Sequence, residues 1–196
     1  MIAIGGLHGT GKSTYAKSIA GEFGLRLSSA GKLFREIAGE RGLSLEEMSE
    51  LAKRDPSIDE EIDALTKREV EKGSVVVEGQ LVAWMAGEAA DMRIYLFAPD
   101  ELRFKRIAER DGLDIGRARE QTLIREAAQK ERYLNLYGID AHDLSAYDLI
   151  VDTSLLPLDD TEGFLKRAVE AFVGRCEGRK NKLRPNGPYC PAGDDR

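Results

Sequence analysis

Apolar and polar positions follow one another in blocks whose period changes along the chain. Five short segments have the apolar character of strands, at residues 1–4, 25–29, 73–79, 93–98 and 147–152. Between them, apolar residues recur every three to four positions, which predicts helices. Strands that alternate with helices predict an α/β fold, and we expect three α/β/α layers built on a parallel five-stranded sheet.

Two stretches depart from simple alternation. Residues 31–72 predict a run of short helices between two strands, which we interpret as an inserted helical arm. The last predicted helix covers residues 158–173, and beyond it the chain is rich in Arg, Lys, Asn, Pro and Gly. We therefore expect one domain over residues 1–174 and a flexible tail over 175–196, and deletion of residues 178–196 should leave activity and melting temperature nearly unchanged.

The first strand leads into a phosphate-binding P-loop of the pattern G-x-x-x-x-G-K-[ST], spelled Gly6-Leu7-His8-Gly9-Thr10-Gly11-Lys12-Ser13. Its glycines allow backbone N–H groups to approach phosphate oxygens, and the following helix N-terminus adds positive potential. We expect Lys12 to reach the β- and γ-phosphates of ATP and the Ser13 hydroxyl to ligate Mg²⁺, while Thr14 contacts the α-phosphate. We expect no chemical role for the His8 side chain.

Polar residues also follow later strands, at the edge where parallel sheets bind ligands. Ser29 is a predicted helix N-cap, and Glu78-Gly79-Gln80 ends the most strongly β segment of the chain. Two further helices carry arginines on single faces, namely Arg103, Arg106 and Arg110 on one, and Arg125 and Arg132 on a long helix over about residues 115–137. Acidic residues do not accompany these arginines at every step, so salt bridges within each helix do not fully account for them.

Charge and composition narrow the range of functions. The 196-residue chain has a net charge of −6, which argues against binding a nucleic acid polymer over a broad surface. It has no apolar run of membrane-spanning length and no basic leader, so we expect a cytoplasmic protein without a membrane partner. The two cysteines, Cys176 and Cys190, match no zinc spacing. We expect a monomer whose partners are small nucleotide substrates.

Taken together, these motifs resemble those of nucleoside monophosphate kinases, and the archaeal-type cytidylate kinases most of all. Besides the P-loop, I-S-A-G-x-x-F-R-E-x-A is similar to residues 27–38, V-V-x-E-G-R to residues 75–80, and R-Y-x-x-x-Y-G-I-D…Y-D-L-x-x-x-T-S to residues 132–154. The likeness covers about residues 1–173 and implies a P-loop kinase fold. It also implies that the γ-phosphoryl group of ATP passes to CMP, and to dCMP as a further acceptor, with Mg²⁺ as cofactor.

The resemblance further implies roles for individual residues. The phosphates of ATP would be held by Gly6, Leu7, His8, Gly9, Thr10, Gly11, Lys12, Ser13 and Thr14. The acceptor would be bound by Ser29, Gly31, Arg35, Glu78, Gly79 and Gln80. The transferring phosphoryl group would be neutralised by Lys12, Arg106, Arg110, Arg125 and Arg132. Residues 31–72 would close over the acceptor, and residues 110–130 or so would form a short lid.

Other readings stay open at this point. Gln80 stands where these kinases usually have arginine, which leaves acceptor affinity and the choice of base undecided. An AMP kinase is an alternative; a kinase for a shikimate-like alcohol would need a base, and residues 27–32 contain no aspartate. A GTP-dependent switch protein would need N-K-x-D, and Asn181-Lys182-Leu183-Arg184 lacks the aspartate. The complete Lys12-Ser13 pair argues against a non-catalytic nucleotide-binding module.

Overall fold

A computed structural model describes residues 1–176, and the structural statements below concern that part of the chain. Residues 177–196, which make up nearly all of the predicted tail, lie outside the described residues. Arg175 and Cys176 belong to the last helix, which is longer than the sequence pattern predicted.

Five parallel strands form the central sheet in the order β2-β3-β1-β4-β5. The strands are β1 (Ile2–Gly6), β2 (Arg26–Ser29), β3 (Val75–Glu78), β4 (Met92–Phe97) and β5 (Leu149–Asp152). The predicted parallel five-stranded sheet is therefore confirmed. Its register sets Ser29 opposite Glu78, and Glu78 opposite Ile4 of the P-loop strand. The carboxyl ends of β2, β3 and β1 therefore meet at one edge.

Eight α-helices surround this sheet within residues 1–176. They are α1 (Lys12–Glu22), α2 (Ala30–Glu40), α3 (Leu45–Ala52), α4 (Ser57–Glu71), α5 (Val82–Met85), α6 (Asp100–Asp111), α7 (Ile115–Tyr137) and α8 (Leu158–Cys176). The short helix α5 and the 3-10 turn Gly87–Ala89 were not predicted, because they are shorter than the windows that reveal helical periodicity. The predicted run of short helices between β2 and β3 is present as α2, α3 and α4, and we keep the name arm for these three helices.

Each face of the sheet is covered by helices, as continuous apolar strands require. On one face, Ile4, Ile94 and Leu96 pack with Ile19 of α1 and Leu165 of α8. A second cluster joins Ala3, Val75 and Val77 to Val70 of α4 and Val82 of α5. Burial of each such aliphatic side chain contributes about 1.5–3 kcal/mol to stability, so both layers hold the P-loop strand β1 firmly in the middle of the sheet.

The arm has an apolar core of its own. Phe34 and Ile37 of α2 pack with Met48 of α3 and with Ile58 and Ile62 of α4. The long helix α7 contacts both α6 and the arm helix α3, so it connects the body of the domain to the arm. Its ends match the prediction, with Asp114 accepting a hydrogen bond from the Arg117 backbone N–H and Gly138 closing the helix at φ 65°.

Candidate active site

A cavity of about 690 Å³ lies at the carboxyl edge of the sheet, between the P-loop, the arm and the helices α6 and α7. This volume is within the usual range for small-ligand sites. Most of the predicted site residues line it, namely His8, Gly9, Gly11, Lys12, Ser13, Thr14, Gly31, Arg35, Glu78, Gly79, Gln80, Arg106, Arg110, Arg125 and Arg132. The lining does not include the remaining predicted residues, Gly6, Leu7, Thr10 and Ser29.

The P-loop conformation depends on its glycines, as positions 9 and 11 show. Gly9 and Gly11 have φ values of 78° and 88°, a region that residues with a Cβ rarely adopt. A Cβ at Gly9 would also lie 2.5 Å from the backbone oxygen of Arg103. Thr10 is buried and donates its hydroxyl hydrogen to Leu7 O at 2.9 Å, which closes the loop on itself. The loop is thus shaped before any phosphate arrives.

Lys12 lies inside the loop, where its Nζ donates to Leu7 O at 2.7 Å. Burial lowers the pKa of Lys12 from 10.5 to about 8, since a charged ammonium loses its hydration there. The carboxylates of Glu78 and Glu126 oppose this shift, while Arg103 and Arg110 add to it. A bound anion would therefore stabilise the charged form of Lys12.

Glu78 connects the P-loop to Ser29 at the start of the arm. Its Oε1 accepts a hydrogen bond from Ser13 Oγ at 2.9 Å and another from Ser29 Oγ. The Ser29 hydroxyl also accepts from the Lys32 backbone N–H at 3.1 Å, which confirms the predicted helix cap. The Glu78 side chain is nearly inaccessible to solvent. One carboxylate thus positions one hydroxyl from the P-loop and one from the start of the arm.

The oxygen atoms of Ser13 and Glu78 fit Mg²⁺, which prefers hard oxygen ligands. Within residues 1–176 no group of three or more His, Cys, Asp or Glu side chains is arranged to hold a metal. Mg²⁺ usually takes one or two protein ligands and fills its coordination shell with waters and substrate phosphates.

Three guanidinium groups gather in the cavity beside the P-loop. Arg35 comes from the arm, Arg110 from the end of α6 and Arg125 from α7. Burial lowers the pKa of Arg125, and the nearby charges of Arg110 and Arg35 lower it further. Asp111 pairs with Arg110 at 2.7 Å, whereas the buried Nε of Arg125 has no hydrogen-bond partner in the described part of the chain. The cluster carries more positive than negative charge even with Asp111 beside Arg110, which favours a bound anion.

The other two arginines of α6 brace the P-loop from outside. Arg103 is 2% exposed; its guanidinium donates to His8 O at 2.7 Å and pairs with Asp100 and Glu126. Arg106 donates to Thr153 Oγ1 and Thr153 O, each at 2.8 Å, and more weakly to Gly9 O at 3.4 Å. These contacts hold Arg106 against Thr153 and Gly9, and its predicted direct role toward the phosphoryl group stays a prediction.

His8 ties the loop to α7. Its backbone N–H donates to Glu126 Oε1 at 3.1 Å, and its Nε2 lies 2.9 Å from Gln129 Oε1. Burial lowers the pKa of His8 well below its ordinary value, and the charges of Arg125 and Lys12 lower it further. The imidazole contacts Gln129 and the backbone N–H contacts Glu126, so α7 positions the loop through contacts that sequence spacing did not suggest.

Arg132 makes a contact that the sequence did not reveal. Its Nε donates to Asp59 Oδ2 of the arm helix α4 at 2.8 Å, and both side chains are buried. The partners are 73 residues apart, so no local pattern pointed to their pairing. On the next turn of each helix, Tyr137 donates its hydroxyl hydrogen to Asp63. Arg132 thus joins α7 to the arm, and its predicted contact with the phosphoryl group stays a prediction.

No helix of residues 1–176 combines the length and apolar character that crossing a lipid bilayer requires.

The sequence is similar to one family of known proteins over most of its length. Residues 1–155 match the family described as the cytidylate kinase-like family. A cytidylate kinase from Staphylothermus marinus is 49% identical, with 88% of this chain and 98% of that protein covered. One from Pyrococcus horikoshii is 40% identical, with 93% and 95% covered.

Solved structures agree on the fold. A shikimate kinase from Acinetobacter baumannii in complex with shikimate superposes with a TM-score of 0.55 at 15% identity, covering 87% of this chain and 92% of that one. An uncharacterized protein from Eubacterium ventriosum gives a TM-score of 0.65 at 19% identity, covering 87% and 98%. At such identities the likeness concerns the fold alone.

Proposed function

The chain belongs to the cytidylate kinase-like family and is a nucleoside monophosphate kinase, and from this premise we propose that it transfers the γ-phosphoryl group of ATP to CMP, with dCMP as a second acceptor. One observation carries the proposal: a single cavity joins a complete P-loop to a cluster of arginines contributed by the arm and the lid region. That arrangement suits two phosphate-bearing substrates that meet end to end.

The P-loop half of the cavity suits ATP. Backbone N–H groups at the start of α1 and the Lys12 ammonium would bind the β- and γ-phosphates. Ser13, supported by Glu78, would hold Mg²⁺, which supplies charge neutralisation on the phosphate oxygens when it is bound. The low pKa of Lys12 is consistent with a site that gains a nearby negative charge when nucleotide binds.

The arginine half suits the acceptor phosphate and the transferring group. Arg35 would hold the acceptor phosphate, with Arg110 and Arg125 placed to neutralise charge that develops between the two nucleotides. No general base is required, because a nucleotide phosphate is already largely dianionic at neutral pH. The protein therefore contributes position and charge, which are the main requirements of phosphoryl transfer.

Closure would exclude water from the reacting groups. Helices α2 to α4 form the arm, and the turn between α6 and α7 at residues 112–114 lies where the lid was predicted. Exclusion of water also strengthens every charge interaction inside the cavity. We expect the enzyme to act as a monomer, since one chain carries all of the groups used above. We also expect it to act in the cytoplasm.

The test is an ADP-release assay with ATP, Mg²⁺ and a panel of CMP, dCMP, UMP and AMP. CMP should give the highest kcat/KM, and Lys12→Ala should remove turnover with every acceptor. The proposal is wrong if AMP is the preferred acceptor, or if ATP is hydrolysed at the same rate with and without a monophosphate.

A further inference from the structure

In the Arg132–Asp59 pair, one nitrogen of the guanidinium group makes no hydrogen bond within the described part of the chain. Arg132 donates to Asp59 through Nε at 2.8 Å and Nη2 at 3.5 Å, whereas the buried Nη1 has no hydrogen-bond partner in the described part of the chain. A buried guanidinium N–H without a partner is costly, because it has lost its hydration and gained nothing in return. Both residues line the active-site cavity, so a ligand there can supply the missing acceptor.

Two further unpartnered groups lie in the lining of the same cavity. The hydroxyl of Thr66 and the amide Nε2 of Gln80 are buried, and neither has a hydrogen-bond partner within residues 1–176. Asp59, Ile62 and Thr66 are three or four residues apart, so they share one face of α4, and all three line the cavity. We call Asp59, Thr66, Gln80 and Arg132 the polar wall.

The surroundings of the polar wall suit a flat ring. Phe34 and Ile62 of the arm and Val82 and Met85 of α5 also line the cavity, which offers apolar surface for the faces of an aromatic base. The cations Arg35, Arg110 and Arg125 belong to the same cavity. A monophosphate with its phosphate on these cations would therefore still have a base to place, and the polar wall supplies unsatisfied groups for it.

We propose that the polar wall reads the base of the acceptor, with Arg132 Nη1 donating to cytosine N3 and the Asp59 carboxylate accepting from the 4-amino group. The amide of Gln80 adds a donor suited to the 2-carbonyl oxygen. This assignment rests on the proposed function, which it deepens. It gives Asp59 and Arg132 a role in choosing the substrate, in place of the phosphoryl contact predicted for Arg132.

Hydrogen-bond polarity explains the choice. Cytosine presents an acceptor at N3 beside an amino donor, which complements one arginine N–H and one carboxylate. Uracil presents the reverse, with a donor at N3 and a carbonyl at C4, so it would set its oxygen against Asp59 and its N–H against Arg132. A site built on such buried polar groups discriminates strongly, because the wrong base leaves them unpaired.

The central experiment is Asp59→Asn, which keeps the size of the side chain and replaces a carboxylate with an amide. Its matched control is Glu60→Gln, which removes the same charge at the adjacent exposed position of α4. Steady-state kinetics and calorimetric binding are measured with CMP, UMP and AMP. The preference for CMP over UMP is the kcat/KM for CMP divided by the kcat/KM for UMP. For Asp59→Asn we expect this preference to fall by about thirtyfold or more. The KM for ATP should not change, and Glu60→Gln should behave as wild type.

The same data separate failure of this inference from failure of the proposed function. If wild type prefers AMP, the CMP assignment is wrong, yet adenine carries the same amino group beside a ring nitrogen, and Asp59→Asn should then weaken the preference for AMP. If the Asp59→Asn protein keeps the wild-type preference, whichever base that is, the pair does not read the base. A wild-type enzyme that does not distinguish the bases overturns the inference as well.

Thr66→Val covers the case in which Asp59→Asn does not fold. The Thr66 hydroxyl has no partner in the described chain, so replacing it with a methyl group breaks no hydrogen bond. We expect a protein at least as stable as wild type whose kcat/KM for CMP is roughly fivefold lower, with the KM for ATP unchanged. Unaltered CMP kinetics in the folded Thr66→Val protein would count against the polar wall as the base site.

Discussion

Ser13 of the P-loop donates its hydroxyl hydrogen to the carboxylate of Glu78 at 2.9 Å, although 65 residues separate them. The same carboxylate oxygen accepts from Ser29 at the start of the arm. Parallel pairing of β1, β2 and β3 brings these three side chains together, since their strands end at the same edge of the sheet. Glu78, predicted as an acceptor-binding residue, thereby also contacts the residue expected to hold Mg²⁺.

Glu78→Gln should weaken the response to Mg²⁺. The amide keeps the shape of the side chain but loses the negative charge that attracts a divalent cation beside Ser13. We expect the Mg²⁺ concentration for half-maximal activity to rise by about tenfold, the range seen when groups that orient metal ligands are altered. Titration of Mg²⁺ at saturating ATP measures this, and an unchanged Mg²⁺ dependence would mean that Glu78 serves only to position Ser13 and Ser29.

Lys12→Ala should abolish turnover and leave the fold intact. The Lys12 ammonium contacts only the Leu7 carbonyl among the described hydrogen-bonding groups, so no core packing is lost. Loss of a charge contact made in the transition state costs about 3 kcal/mol or more, which corresponds to a fall of at least about a hundredfold in kcat/KM. Circular dichroism verifies folding. Near-normal phosphoryl transfer by the folded variant would contradict the P-loop assignment.

ATP binding should weaken as pH rises through about 8, the pKa of Lys12 in the free protein. Bound phosphates stabilise the ammonium and raise its pKa, so the protonated form binds better. Below pH 8 the free protein already carries that proton, and the affinity is level. Above pH 8 binding must take up a proton, so the Kd should rise by up to about tenfold per pH unit until the pKa of the complex is reached.

Lys12→Met is the control for this pH dependence. It keeps an unbranched side chain but cannot titrate, so its weaker binding of a non-hydrolysable ATP analogue should be level between pH 7 and pH 9. Burial and the charges of Arg103 and Arg110 lower the pKa of Lys12, and Glu78 and Glu126 oppose them. A wild-type profile as level as that of Lys12→Met would show that Lys12 stays charged throughout.

The sheet, the arm and the P-loop were predictable because each has a local signature. Apolar runs located all five strands, and the capping signals at Ser29 and Gly138 located two helix ends to the residue. The cavity lining was largely predictable too, since motif residues at the ends of adjacent parallel strands must converge.

Partners of buried charges were not predictable. Arg103 was noted only as one of three arginines on a helix face, yet it pairs with Glu126 of the next helix. Arg132 pairs with Asp59 of the arm. Both pairings depend on how α7 packs against other elements, and helical periodicity identifies a face without identifying what it contacts. For the same reason, the contact between His8 and Gln129 was not predicted.

Glu126→Gln should destabilise the protein. Arg103 is almost fully buried, and Glu126 accepts from its guanidinium at 2.7 Å as well as from the His8 backbone N–H. The amide keeps one acceptor but loses the charge, so we expect a loss of about 1.5–3 kcal/mol in the free energy of unfolding. Urea denaturation measures it. Glu120→Gln, at an exposed position of the same helix, should be neutral, and equal stability of the two variants would contradict the bracing role of Arg103.

Gln80→Arg tests the position at which the chain departs from the pattern it resembles. The Gln80 amide lines the cavity and its buried Nε2 lacks a hydrogen-bond partner in the described chain, so we expect a cation there to donate to a bound monophosphate. One added charge-assisted hydrogen bond of about 1.5 kcal/mol should lower the KM for CMP by about tenfold and leave the KM for ATP unchanged. Gln80→Met, which has similar length and no donor, should raise the KM for CMP. If Gln80→Arg binds CMP no better than wild type, repulsion from the neighbouring arginines outweighs the new contact, and Gln80 does not occupy a vacated acceptor-binding position.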